Sequence, residues 1–83
     1  MPRADELSEL MRRVQDELGY DAYESAARKA GAVAKASTRP VRLSGKDAGV
    51  PLVNVGLNEE YLIPEEVYLD ALGTELRRLL QPH

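Results

Sequence analysis

Apolar residues recur at helical spacing along the first eighteen residues, and this stripe constrains the fold more than any other feature. The stripe consists of Leu7, Leu10, Met11, Val14 and Leu18. Its spacing of i, i+3, i+4, i+7 and i+11 is typical of a helix with one buried face. We therefore predict a helix over residues 5–18. Because one helix cannot bury its own stripe, another element must pack against it.

A second helix is predicted over residues 21–37. Gly19 can take the left-handed conformation that ends many helices, and Asp21 with Glu24 forms a D-x-x-E capping pattern. The two helices should form a hairpin. The expected inward face of the second helix is mostly small: Ala22, Tyr23, Ala26, Ala27, Ala30 and Val33. Such a face either packs closely on the first helix or receives a helix from a partner.

The sequence after the second helix predicts short strands followed by a third helix. Arg39-Pro40 ends the second helix, because the residue before a proline is pushed toward extended geometry. Alternating apolar residues and intervening turn residues then predict strands over residues 40–44, 51–57 and 60–63.

A C-terminal helix is predicted over residues 64–80. Pro64 suits its start, and Gly73 leaves its continuity open. The predicted fold class is α+β in a single domain, residues 1–83. It comprises an N-terminal helical hairpin, a small antiparallel sheet of two to three short strands and a C-terminal helix.

The size of the chain limits its stability. A domain of 83 residues buries roughly 60–65% of the surface that its unfolded chain exposes. The sequence has no cysteine, so disulfides cannot complete the fold and a homodimer is a further prediction. No apolar stretch approaches the ~20 residues of a membrane span, and residues 1–6 are too polar for a signal peptide. We expect a cytoplasmic protein with no membrane partner.

Residue types that catalyse reactions or hold metal ions are scarce. His83 is the only histidine and the last residue, and cysteine is absent. A histidine base, a zinc site or a thiol nucleophile is therefore not expected. Adjacent carboxylates such as Glu65-Glu66 point in different directions and do not converge on one ion. We predict that the chain is not an enzyme and needs no cofactor or metal.

Charge is segregated along the chain. The net charge of −3 is composed of −4 over residues 1–24, +6 over residues 25–46 and −5 over residues 47–83. The positive segment contains six basic residues with no acid between them: Arg28, Lys29, Lys35, Arg39, Arg42 and Lys46. Such a segment either contacts the phosphates of a nucleic acid or balances the acidic flanks within the fold or across a dimer.

These features predict a small non-catalytic protein-binding module, such as an inhibitor, an antitoxin-like adaptor or a phage-encoded regulator that masks a partner surface. Separate charged patches and surface tyrosines are typical of such modules. The predicted partner-binding residues are the six basic residues together with Glu59, Glu60 and Tyr61. The alternative is a nucleic-acid-binding transcriptional regulator that uses the basic segment 28–46.

Overall fold

Five regular elements form the fold in the computed structural model, which describes residues 2–41 and 49–81, with side chains from residue 5 onward. Two helices come first, α1 (Pro2–Leu18) and α2 (Tyr20–Ser37). Two strands, β1 (Leu52–Asn54) and β2 (Leu62–Pro64), precede the C-terminal helix α3 (Glu65–Leu80). The predicted α+β arrangement of helical hairpin, small antiparallel sheet and C-terminal helix is confirmed.

A single residue, Gly19, joins α1 to α2. Its φ of 96° lies in the left-handed region that favours glycine, and its N–H donates to the carbonyls of Val14 and Gln15. The prediction that Gly19 ends the first helix is confirmed. The predicted D-x-x-E cap is wrong, because α2 begins at Tyr20 with no side-chain cap. The reversal is complete within one residue, which leaves Asp21 inside the first turn.

Small side chains on α2 allow α1 and α3 to pack closely against it. The core cluster consists of Val14 of α1, Ala26 and Ala30 of α2, and Leu72 and Leu76 of α3. None of these five residues is more than 5% exposed. The interpretation of the alanine face as an internal packing surface therefore holds for Ala26 and Ala30.

The inward face of α2 turns toward the sheet in its C-terminal half. Val33, predicted to point inward, is 44% exposed, and that prediction is wrong. Ala34 is fully buried instead, and a Cβ added at Gly31 would lie 4.0 Å from the Cβ of Val55. This half of the helix lies beside Val55 at Gly31 and receives the hydroxyl of Tyr61 at the carbonyls of Lys35 and Thr38.

The two strands pair antiparallel, with Val53 opposite Ile63. Ile63 is fully buried and fixes the inner face of the sheet. The side-chain oxygen of Asn54 accepts hydrogen bonds from the N–H groups of Gly56 and Tyr61, at 2.9 and 3.1 Å. This one amide therefore orders the loop between the strands.

The element boundaries differ modestly from those predicted. The strands predicted over residues 51–57 and 60–63 are shorter, because the residues between them form the loop around Asn54. The strand predicted over 40–44 lies mostly outside the described residues, although Val41 donates its N–H to the carbonyl of Leu62 at 2.7 Å. The C-terminal helix begins one residue after Pro64 and continues through Gly73 without a break.

Gly56 occupies a position that has no room for a side chain. A Cβ there would collide with the carbonyl oxygen of Glu59, which belongs to the backbone and cannot move without distorting the loop. We expect Gly56→Ala to lower the free energy of unfolding by about 1–3 kcal/mol. Urea unfolding followed by circular dichroism measures the change.

The matched control is Gly31→Ala, in which the added Cβ makes only ordinary van der Waals contact. Alanine favours a helix interior over glycine by up to ~1 kcal/mol, so a small gain in stability is expected. Equal losses in the two variants would contradict the assigned loop geometry.

Candidate functional site

An open groove of about 1000 Å³ lies between α2 and the β1 side of the sheet. One wall is a face of α2 formed by Glu24, Ala27, Arg28, Gly31, Ala32 and Lys35. The other wall is formed by residues 53–59, and Tyr68 of α3 also lines the space. The volume lies at the upper end of the roughly 300–1,000 Å³ that ligand pockets occupy. We call this site the α2/β1 groove.

The middle of the α2/β1 groove is apolar because α2 presents small residues there. Ala27, Gly31 and Ala32 face the strand wall without filling the space. Across from them, Leu57 is 95% exposed. A large aliphatic side chain that stands open beside an apolar groove provides surface for a binding partner.

Each end of the groove carries one ion pair. The guanidinium of Arg28 lies 2.8 Å from the carboxylate of Glu24, and the ammonium of Lys35 lies 3.0 Å from that of Glu59. Both pairs are partly exposed, so each contributes only ~0–1 kcal/mol to stability. A partner could therefore displace either pair at low cost.

The hydrogen bonds of the strand pair show which backbone groups of β1 face β2. The N–H of Val55 donates to the carbonyl of Tyr61 at 3.0 Å, and the N–H of Glu65 donates to the carbonyl of Pro51 at 2.9 Å. In an antiparallel pair, alternate residues of a strand direct their backbone groups to the same side. Residues 51, 53 and 55 therefore bond toward β2.

The intervening residues of β1, Leu52 and Asn54, direct their N–H and C=O groups away from β2. Asn54 lines the groove whereas no residue of β2 does, so this edge of β1 borders the groove at Asn54, with Leu52 two residues away along the same edge. Among residues 2–41 and 49–81, none of these four groups finds a backbone or side-chain partner. Within those ranges, β1 therefore has an open strand edge beside the groove.

Tyr61, one of the predicted partner-binding residues, connects the sheet to the end of α2. Its hydroxyl donates to the carbonyl of Thr38 at 2.8 Å and lies 3.3 Å from the carbonyl of Lys35. The ammonium of Lys35 lies 5.1 Å from the centre of the Tyr61 ring. These contacts give Tyr61 a structural role, and its role in partner binding stays a prediction.

Lys29 faces α3 and not the groove. Its ammonium lies 3.6 Å from the carboxylate of Glu75, which is only 6% exposed. The same carboxylate lies 3.8 Å from the guanidinium of Arg78. Lys29 therefore helps to compensate a buried negative charge between α2 and α3, because an unpaired buried carboxylate would be costly.

The other predicted residues contribute less to the site. Arg39 and Glu60 are exposed and make no hydrogen bond or ion pair with any residue in the described ranges. Arg42 and Lys46 lie outside the described residues. Of the nine predicted residues, the structure places only Arg28, Lys35 and Glu59 at the groove.

Sequence reasoning missed the apolar lining of the groove. Two signals pointed to it: the small residues on one face of α2 and the alternation of Val53, Val55 and Leu57. Neither signal reveals that this face of α2 lies across the groove from residues 53–59, which is a property of the packed fold.

Tyr68 supplies the one aromatic ring of the groove lining. Burial, and to a smaller extent the neighbouring Tyr23, raise the pKa of its hydroxyl above the ordinary value of 10.0. The hydroxyl is therefore neutral at physiological pH, and Tyr68 adds no charge to the groove.

Neither metal-binding clusters, nor membrane spans, nor similarity to known proteins indicates a function for this chain. Over the ranges that the structure describes, no three or more histidine, cysteine or carboxylate side chains converge on a metal position. No helix described by the structure is long and apolar enough to cross a membrane. No protein-family model matches the chain, and no curated protein or solved structure matches it either. The function is therefore argued from the groove.

The contact of Tyr61 with the end of α2 can be tested through its hydroxyl. We expect Tyr61→Phe to lower the free energy of unfolding by about 0.5–1.5 kcal/mol, because the bond to Thr38 is lost while the ring remains. Tyr20→Phe is the matched control, since Tyr20 is 63% exposed. Equal urea midpoints for the two variants would contradict the structural role of the Tyr61 hydroxyl.

Proposed function

We propose that the chain is a non-catalytic protein-binding module that uses the α2/β1 groove to mask part of a partner protein. The observation that carries the proposal is the open edge of β1 beside an apolar groove. Such a site offers a polypeptide both backbone hydrogen bonds and apolar contact. This mode of action requires no catalytic group and suits an inhibitor, an antitoxin-like adaptor or a regulator.

Two side chains are proposed as the main contacts for the partner. Leu57 is almost wholly exposed, and burial of such a side chain contributes about 1.5–3 kcal/mol. Tyr68 offers a large ring at low cost in conformational entropy, and tyrosine is enriched among the residues that dominate binding energy. Arg28, Lys35 and Glu59 at the groove ends would then contribute more to selectivity than to affinity.

The alternative, a nucleic-acid-binding regulator, receives less support from the geometry. Arg28, Lys29 and Lys35 each lie within 4 Å of a carboxylate of the same chain. These carboxylates reduce the positive potential that phosphate binding needs. The segregation of charge in the sequence is thus partly cancelled by the fold.

We therefore expect no binding of labelled duplex DNA or of RNA at physiological salt, measured by fluorescence anisotropy. Micromolar binding that weakens steeply with salt would favour the regulator instead. In that case Arg39→Ala, which removes an exposed cation that has no ion-pair partner among the described residues, should reduce the salt dependence.

A matched pair of substitutions on α2 tests the protein-binding proposal. Ala32 lines the groove, whereas Val33 is exposed outside it. We expect Ala32→Glu to abolish retention of the partner from a lysate of the source cells, because it places a larger, hydrated carboxylate in the apolar contact. Val33→Glu adds the same charge one residue away and should retain the partner.

Quantitative mass spectrometry of proteins retained by the tagged wild-type chain and by the two variants provides the comparison. Circular dichroism establishes that both variants are folded. The groove would be ruled out as the binding surface by a partner that all three chains retain equally, or by the absence of any specifically retained protein.

A further inference from the structure

We infer that the partner docks as an extended segment that adds a strand to the open edge of β1 and places apolar side chains at alternate positions in the groove. This inference rests on the proposed function and names the class of ligand that the groove takes. It is carried by the backbone groups of β1, by the shape of the α2 face and by the distribution of charge around the groove.

The hydrogen-bonding groups of β1 select the backbone conformation of the ligand. Leu52 and Asn54 present two N–H and two C=O groups along the edge that faces away from β2 and borders the groove at Asn54, with no partner among the described residues. An extended chain has free donors and acceptors that alternate along a rise of about 3.3 Å per residue, which matches this edge. A partner helix uses its own backbone groups internally and would leave those of β1 unused.

The groove wall selects the side chains of the ligand. Successive side chains of an added strand point to opposite faces, so every second one would face α2. The close approach of Val55 to Gly31 shows on which side of the sheet α2 lies. The small side chains of Ala27 and Ala32, which also line the groove, leave space there for large side chains.

Charge complementarity requires those inward side chains to be uncharged. At each end of the groove a cation is already paired with a carboxylate, Arg28 with Glu24 and Lys35 with Glu59. The residues between the two ends provide no countercharge. A charged side chain placed there would lose its hydration without gaining an opposite charge, whereas an aliphatic or aromatic side chain would gain apolar contact.

The position of α2 beside β1 favours a segment over a second copy of this chain. Antiparallel pairing of two β1 edges would place both α2 helices on the same face of the joined sheet. Each α2 forms one wall of the groove beside its own β1, so both groove walls would lie on that one face. A lone extended segment brings no second helix to that face.

The test uses the full 83-residue chain and a random peptide library displayed on phage. Enriched peptides should carry uncharged apolar residues at positions i and i+2. A synthetic peptide of the enriched sequence should slow hydrogen exchange at the amides of Leu52 and Asn54 by at least about tenfold, equivalent to 1.4 kcal/mol. The amide of Val53, which is paired with Ile63 in the free chain, should change little.

The two α2 variants described above test whether the peptide binds in the groove. Ala32→Glu should weaken peptide binding by about tenfold or more, equivalent to 1.4 kcal/mol, while Val33→Glu should bind like the wild-type chain. Isothermal titration calorimetry provides the affinities. Equal weakening by the two variants would overturn the inference.

Three further results would overturn strand addition. These are a library without enriched peptides, enriched peptides that lack the alternation, and binding without protection of Leu52 and Asn54. A dimer in sedimentation experiments that protects these amides without peptide would show that a second copy closes the edge. If the cellular partner still depends on Ala32 in any of these cases, the protein-binding proposal stands and only the strand-addition mode fails.

Discussion

The close packing of α2 against α1 and α3 is the contact on which the rest of the structure depends. Ala26 and Ala30 let α1 and α3 share one core, and Gly31 lies beside Val55. Larger side chains at Ala26 and Ala30 would force the neighbouring helices apart, because protein interiors have little spare volume. The chain has no phenylalanine or tryptophan, so close approach of backbones replaces the filling of space by large rings.

The same small residues create the groove. Where α2 faces α1 and α3, its alanines are covered, whereas Ala32 is exposed and Ala27 lies at the margin of the core, and both line the groove. The outer edges of β1 and β2 differ in their free backbone groups. The outer edge of β2 is blocked by Pro64, which has no N–H, and by the bond from Val41 to Leu62. Open strand edges promote association with other chains, and within the described residues the edge of β1 is open where it borders the groove.

Ion pairs within the fold reduce the positive charge that the basic segment presents at the surface. Arg28 and Lys35 pair with acids at the groove, and Lys29 pairs with the buried Glu75. Glu24, the partner of Arg28, belongs to α2 itself. The other two partners, Glu59 in the loop between the strands and Glu75 in α3, are distant from the basic segment in sequence. A run of like charge in a sequence therefore need not produce a surface of like charge.

Local pattern was sufficient to predict the helices, the antiparallel strands and the reversal at Gly19, because apolar spacing and glycine or proline geometry act over a few neighbouring residues. Local pattern failed at Val33, because the buried position in this turn of α2 is Ala34, one residue further along. It also failed at the proposed cap of α2, because the turn at Gly19 closes within one residue. Arg28, Lys35 and Glu59, which border the groove, were among the residues predicted to bind a partner. The open edge and the apolar lining arose only when α2 packed beside a two-stranded sheet, since that juxtaposition depends on contacts between residues distant in the chain.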